Sequence, residues 1–284
     1  MGKLVQRLLI FLLGIPLIAA FIFFLPQRGH LVLNILVVIF SALGALELRG
    51  MLDKKQLPVS AIEAAVLGGL APALMTLVIS FALPVWIIPL FLVMAAFWVL
   101  ISPVFMPEER TPLYINRMAA GFIVLLYPGS LLAWICAMGA WDGILILIFL
   151  LVPIMGDSTA WAAGNLFGKN NRGIVKISPN KSIAGFIGGL FASVAVCVAA
   201  VYIFPQFFAP RFGHAALFGG VLGLISGAAA ALGDLCESAI KRSAEYKDSG
   251  GLIPGRGGVL DSVDSIALAA PAFYFTWTLL FTFA

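Results

Sequence analysis

Residues 84–102 read PVWIIPLFLVMAAFWVLIS, a run with no charged side chain and apolar residues on every face of a helix. About 20 such residues cross the hydrocarbon core of a bilayer. A barrel strand would alternate polar and apolar positions, and this run does not. A helix satisfies all of its own backbone hydrogen bonds in lipid, so a helix is the form expected here. Similar runs fall at 8–25, 31–48, 61–80, 119–138, 143–163, 183–204, 215–235 and 263–283. The sequence therefore predicts an all-α polytopic bundle of about nine transmembrane helices. Composition agrees: 62% of the chain is hydrophobic and 11% charged, against roughly 25% charged in soluble domains. The first run follows Lys3 and Arg7 but has no small-x-small cleavage site before Pro26, so it reads as a retained helix rather than a signal peptide.

Basic residues fix an expected orientation. If Lys3 and Arg7 are cytoplasmic, alternate loops place 15 of the 17 Lys and Arg residues inside, leaving only Arg28 and Arg211 outside. The positive-inside rule then puts the N-terminus in the cytoplasm and the C-terminus, Ala284, outside. No internal repeat is visible. The expected organisation is a single membrane domain, 1–284, with N-terminal helices over 1–140 and a catalytic C-terminal half over 141–284. Cys136, Cys197 and Cys236 lie in or beside apolar runs, with neither disulfide nor CxxC metal spacing. His30 and His214 fall in loops assigned to the outer face, away from the acids.

Ionisable residues at span ends mark the chemistry, because charge near a membrane core is costly. Asp157 follows the apolar run 144–155. Asp234 and Glu237 end the eighth span, and Asp261 and Asp264 open the ninth. The last pair is three apart, one helical turn on one face, where two like charges repel unless a cation intervenes. Carboxylate oxygens suit Mg²⁺, which shares its shell with phosphate oxygens. The alternative for Asp261 is simple stabilisation of a helix N-terminus by the macrodipole. Between the acids lie Ser238, Lys241 and Arg242, then Lys247 and Asp248, then Pro254-Gly255-Arg256-Gly257-Gly258. Basic side chains on a glycine-rich turn can neutralise a polyphosphate and bring backbone N–H groups to it. The competing reading is a solvated loop that only obeys the positive-inside rule. A second basic loop, 169–182, ends at Lys181, either a phosphate contact at a helix N-terminus or a topological anchor.

At these residues the sequence resembles the phosphatidate cytidylyltransferases, or CDP-diacylglycerol synthases. Their signature runs Ser-x-x-Lys-Arg, four residues, Lys-Asp, then Pro-x-His-Gly-Gly, then Asp-Arg-x-Asp. Ser238, Lys241, Arg242, Lys247, Asp248, Pro254, Gly257, Gly258, Asp261 and Asp264 match it with every spacing kept. The segments around Asp157-Ser158, Lys176 to Ser182 and Ala45-Leu46-Glu47 are also similar, so the resemblance spans about residues 45–270. Two positions depart: the family histidine is Arg256 here, and the arginine between the two aspartates is Ser262. The cation missing at 262 is then supplied from 256.

The resemblance implies transfer of a cytidylyl group from CTP to phosphatidate, giving CDP-diacylglycerol and pyrophosphate in phospholipid biosynthesis. It implies catalytic roles for Ser238, Lys241, Arg242 and Asp248, and substrate binding by Lys181, Lys247, Arg256 and Asp157. Asp234, Asp261 and Asp264 would hold Mg²⁺ together with a second cation. The expected partners are CTP, a lipid phosphate and membrane lipid, with no nucleic acid and with a homodimer as an option. The expected place is the inner membrane, with the site on its cytoplasmic side. Alternatives are a paralogue using another lipid phosphate, a CTP-dependent polyprenol kinase and, last, a transporter.

Overall fold

The computed structural model describes residues 3–173, 175–209 and 214–282, with side chains from Leu13 to Phe281. Pro210, Arg211 and Ala284 lie outside the described residues, as do the side chains of Lys3, Arg7 and Arg110. No strand occurs among the described residues. Ten α-helices follow in order: α1 Lys3–Phe24, α2 Gln27–Asp53, α3 Ala61–Phe81, α4 Ile87–Ile101, α5 Tyr114–Val124, α6 Ala133–Ala137, α7 Gly143–Phe167, α8 Ile183–Ile203, α9 Ala215–Ser243 and α10 Leu260–Trp277. Eight helical stretches of the described residues are long and apolar enough to cross a membrane, and Leu13–Phe24 of α1 adds a shorter apolar one. The chain is an all-α polytopic membrane protein.

The chain divides into two compact units. The first combines Met1–Trp141 with Ile240–Val263, and the second combines Asp142–Ala239 with Asp264–Ala284. The sequence expectation drew its line at 140/141 and left 240–263 with the C-terminal half. The structure assigns that polar stretch to the unit of the N-terminal helices.

In the first unit α2 packs most extensively on α3. Lipid offers no hydrophobic drive for helix pairing, so small side chains and interhelical hydrogen bonds do the work. Ala45 of α2 meets Gly68 of α3, and the Ser41 hydroxyl shares its one proton between the carbonyls of Gly68 and Pro128. The expected single helix over 119–138 is interrupted. Pro128 has no N–H to give, and Leu125–Ser130 widens into a π-type turn before α6. Gly129 lets that turn come against the Leu67 and Gly68 carbonyls, which a Cβ would meet at 3.1 Å. At the start of α2, Arg28, Gly29 and His30 take left-handed backbone angles, so the regular helix begins after His30, as the apolar run predicted.

In the second unit α7 lies along α8. Gly185 and Gly189 of α8 face the carbonyls of Ala160 and Gly156 at Cβ distances of 2.8 and 3.0 Å. Gly219, Gly223 and Gly227 of α9 recur every four residues and face Cys197 and Ser193 of α8. This is the small-xxx-small pattern of close membrane helices. Gly233 brings the α9 backbone against the Asp264 carbonyl of α10, and Phe149 of α7 meets Phe273 of α10 with ring centroids 5.5 Å apart.

Candidate functional site

The polar residues collect in two groups, one in each unit. The first is built on the turn between α9 and α10. Helix α9 continues past its apolar run to Ser243 with Lys241 and Arg242 in its last turn, where cations complement the helix dipole. The chain then passes Lys247 and Asp248, both exposed, and folds back at Ile253–Gly257. Pro254 and Gly255 form the bend, with Gly255 at φ +75° and the Arg256 N–H donating to the Ile253 carbonyl at 3.2 Å. That is a type II turn, which requires a residue tolerating positive φ at its third position. Arg256 sits half-buried on this turn.

Asp261, in the first turn of α10, ties the segment together. Its Oδ2 accepts from the Ser249 N–H at 2.8 Å, the Ser249 hydroxyl at 2.9 Å and the Gly258 N–H at 2.8 Å. Its Oδ1 accepts from Lys241 Nζ at 2.5 Å. Both oxygens are thus engaged by protein donors. The Lys241–Asp261 pair is 11% and 8% exposed, and breaking such a buried pair by removing one partner costs about 3–5 kcal/mol. By contrast Arg49–Asp53 on α2 is 37% and 39% exposed, a class worth about 0–1 kcal/mol. The Ser262 hydroxyl donates to the Gly258 carbonyl at 3.2 Å.

Glu47 of α2, which the sequence placed in a segment resembling the family, belongs to the same group. Its Oε1 accepts from the Val259 N–H at 2.9 Å and its Oε2 from the Leu260 N–H at 2.8 Å, while the Ser249 hydroxyl, 3.0 Å from Oε2, shares its one proton between Glu47 and Asp261. Its partners stand more than 200 residues away in sequence, and no local pattern announces them.

The second group lies wholly in the second unit. Asp264 is buried, at 8% exposure, and its charge is opposed by the carboxylates of Asp234 and Asp157. The Ser265 hydroxyl lies 2.9 Å from Asp157 Oδ2 and 3.1 Å from Asp264 Oδ1, while the Ser265 N–H donates to Asp264 Oδ1 at 2.6 Å. Asp234 is brought beside Asp264 by the close passage at Gly233. It pairs with Lys181 Nζ at 2.5 Å through Oδ2 and accepts from the Ser238 hydroxyl at 3.4 Å through Oδ1. Lys181 is set by a short hairpin in which the Gly173 N–H donates to the Lys181 carbonyl and the Ile183 N–H to that of Asn171. The next residue, Ser182, caps α8 by accepting from the Gly185 N–H at 3.0 Å.

Of the residues singled out in the sequence, Asp157, Lys181, Asp234, Ser238 and Asp264 meet in the second unit, and Lys241 meets Asp261 in the first. Arg242, Lys247, Asp248 and Arg256 also belong to the first unit. The Arg242 guanidinium donates to the Tyr246 carbonyl at 3.2 Å, and Asp248 lies beside Gly257, where a Cβ would meet the Asp248 Cβ at 3.2 Å. Among the described residues, no three Asp, Glu, His or Cys side chains form a ready-made metal cage.

The model of the cytidylyltransferase family matches residues 5–280. Among curated proteins, a phosphatidate cytidylyltransferase of Synechocystis is 37% identical over 138 residues, which are 46% of this chain and 44% of that protein. One from Haemophilus influenzae is 37% identical over 141 residues, 47% and 46% of the two chains. One from Staphylococcus aureus is 42% identical over 126 residues, 44% and 46% of the two chains. The chain thus spans about half the length of the curated relatives it matches. With the family model matched over nearly all of its length, the chain belongs to the cytidylyltransferase family.

Proposed function

We propose that this protein transfers the cytidylyl group of CTP to phosphatidate, forming CDP-diacylglycerol and pyrophosphate. The observation that carries the reading is the family match over residues 5–280, joined to a signature stretch in which Lys241 is paired with Asp261. A phosphatidate oxygen attacks the α-phosphorus of CTP, the bond to the bridging oxygen breaks, and pyrophosphate departs. The attacking oxygen is already anionic, so no strong general base is needed. The barrier lies in bringing two polyanions together, which calls for positioning and charge neutralisation.

The carboxylates support a hard divalent cation in that role. Asp264 is buried, and its charge is opposed by Asp234, which Lys181 already pairs, and by Asp157, an arrangement that suits a further positive charge. Mg²⁺ is commonly held by only one or two carboxylates plus substrate phosphates, which suits a group that is not a closed cage. Asp264 and Asp234, with Asp157 beside them, would hold it, and the ion would supply charge stabilisation to phosphate oxygens. Asp261 fits this set less well, because Lys241, Ser249 and Gly258 already take its oxygens; we assign it to positioning. Lys181 now holds Asp234 and Lys241 holds Asp261, and both ammonium groups are suited to turn to phosphate oxygens. Lys247 and Arg256 add charge on the glycine turn. The distribution of basic residues supports a site on the cytoplasmic side, where CTP arrives from water and the lipid headgroup lies at the interface.

The test is the fate of label. Purified protein in detergent with phosphatidate and Mg²⁺ should place label from [α-³²P]CTP in the chloroform phase and label from [γ-³²P]CTP in pyrophosphate. Lipid labelled only from the γ-position would mean a CTP-dependent lipid kinase instead.

A further inference from the structure

We infer that Glu47 is a positioning residue that moulds the glycine turn before α10, and that the reaction depends on it although it touches neither substrate. The inference rests on the function proposed above, and every contact it uses lies within the first unit. Glu47 is the only acid of α2 before Asp53, and a carboxylate in such a helix requires partners. It finds three, all between residues 249 and 260: the N–H groups of Val259 and Leu260 and the hydroxyl of Ser249. Leu260 opens α10, so the side chain of another helix does what a local N-cap residue ordinarily does for the first N–H groups. It also sets negative charge at the positive end of the α10 dipole.

The glycines show how closely the turn wraps this carboxylate. A Cβ at Gly250 would overlap Glu47 Oε1, and one at Gly258 would overlap both Glu47 Oε2 and the Ser249 hydroxyl. Neither glycine has a positive φ. They are therefore required for space around Glu47 rather than for backbone freedom. The Ser249 hydroxyl lies between Glu47 Oε2 at 3.0 Å and Asp261 Oδ2 at 2.9 Å, so the two carboxylates grip the turn from α2 and from α10. On the gripped segment rides the cation Arg256, and the cation Lys247 stands just before it, next to the acid Asp248. Glu47 thereby sets where those cations stand when a polyphosphate arrives.

Glu47→Gln tests this, because the amide keeps the size but replaces one of the two acceptor oxygens with an NH₂ that must face a donor of the turn. In hydrogen–deuterium exchange of the full chain in detergent, amides of 249–260 should exchange at least tenfold faster, with α3, α7 and α8 unchanged. The kcat/KM for CTP should fall at least tenfold while the KM for phosphatidate stays within twofold. Glu47→Asp keeps the charge on a shorter stem and should fall between the two proteins in both readouts; it decides the matter if the glutamine variant does not fold. Ser249→Ala, which removes one of the three donors, should accelerate the same amides by less. Unchanged exchange over 249–260 would overturn the inference, and so would uniformly faster exchange throughout with wild-type KM for CTP in the surviving fraction. Exchange needs no turnover. If the wild-type protein transfers no cytidylyl group, the function proposed above fails, while the tie between Glu47 and the turn is still decided.

Discussion

At the scale of single residues, two aspartates one helical turn apart in α10 have different surroundings. Asp261 is supplied with protein donors on both oxygens, whereas Asp264 faces other carboxylates. If Asp264 helps hold a catalytic Mg²⁺, Asp264→Asn removes charge stabilisation worth several kcal/mol, and each 1.4 kcal/mol or so is tenfold in rate. We expect turnover to fall by about 100-fold or more with folding retained, measured as product formed per milligram of monodisperse protein at fixed Mg²⁺. Asp53→Asn, which breaks only the exposed pair with Arg49, should leave turnover within twofold. The departures at 256 and 262 give a second residue-scale test. If Arg256 supplies the cation that the resembling signature places between its two aspartates, Arg256→His and Ser262→Arg should each lower activity, and together should restore it. A double-mutant cycle on kcat/KM should show coupling of about 0.5–3 kcal/mol, and additive effects would mean that the two changes are independent.

At the scale of elements, apolar runs locate the spans well because each is unbroken, but they misjudge where helices end. The run ending at 235 stops where Glu237, Lys241 and Arg242 begin, yet α9 continues to Ser243. Charge ends hydropathy without ending backbone hydrogen bonding. The break at Pro128-Gly129 was written in the sequence by a residue that lacks an N–H. Glu47 was legible as an acid in an apolar span and as part of the resemblance at Ala45-Leu46-Glu47, but its partners were not, since they depend on the tertiary fold, as do the pairings of Lys181 with Asp234 and Lys241 with Asp261. Small residues allow an element-scale prediction with opposite signs at two glycines. Around Gly50 of α2 nothing lies within 4 Å of a Cβ, whereas a Cβ at Gly223 of α9 would meet the Ser193 carbonyl oxygen at 2.5 Å and the Val194 Cα at 2.6 Å. Gly50→Ala should therefore stabilise by about 0.5–1 kcal/mol through reduced backbone entropy. Gly223→Ala should destabilise by about 1–3 kcal/mol. Thermal unfolding in one detergent reads both, and equal shifts would show that α8 and α9 do not pack as closely as described.

At the scale of the whole molecule, charge distribution gives a testable orientation. An inside-to-outside ratio of 15 to 2 for basic residues predicts that Lys247 faces the cytoplasm and Ala284 the outside. In a background with Cys236 replaced by serine, a cysteine at 284 should react with an impermeant maleimide in intact cells, and one at 247 only after permeabilisation. The reverse pattern would invert the orientation. The central claim is tested most directly by the identity of the product. Purified protein incubated with CTP, Mg²⁺ and a panel of lipid phosphates should convert phosphatidate to a lipid with the mass of CDP-diacylglycerol, with one pyrophosphate released per lipid formed. Phosphatidate recovered unchanged, while another lipid phosphate gains the cytidylyl mass or a lipid alcohol gains a single phosphate, would contradict it.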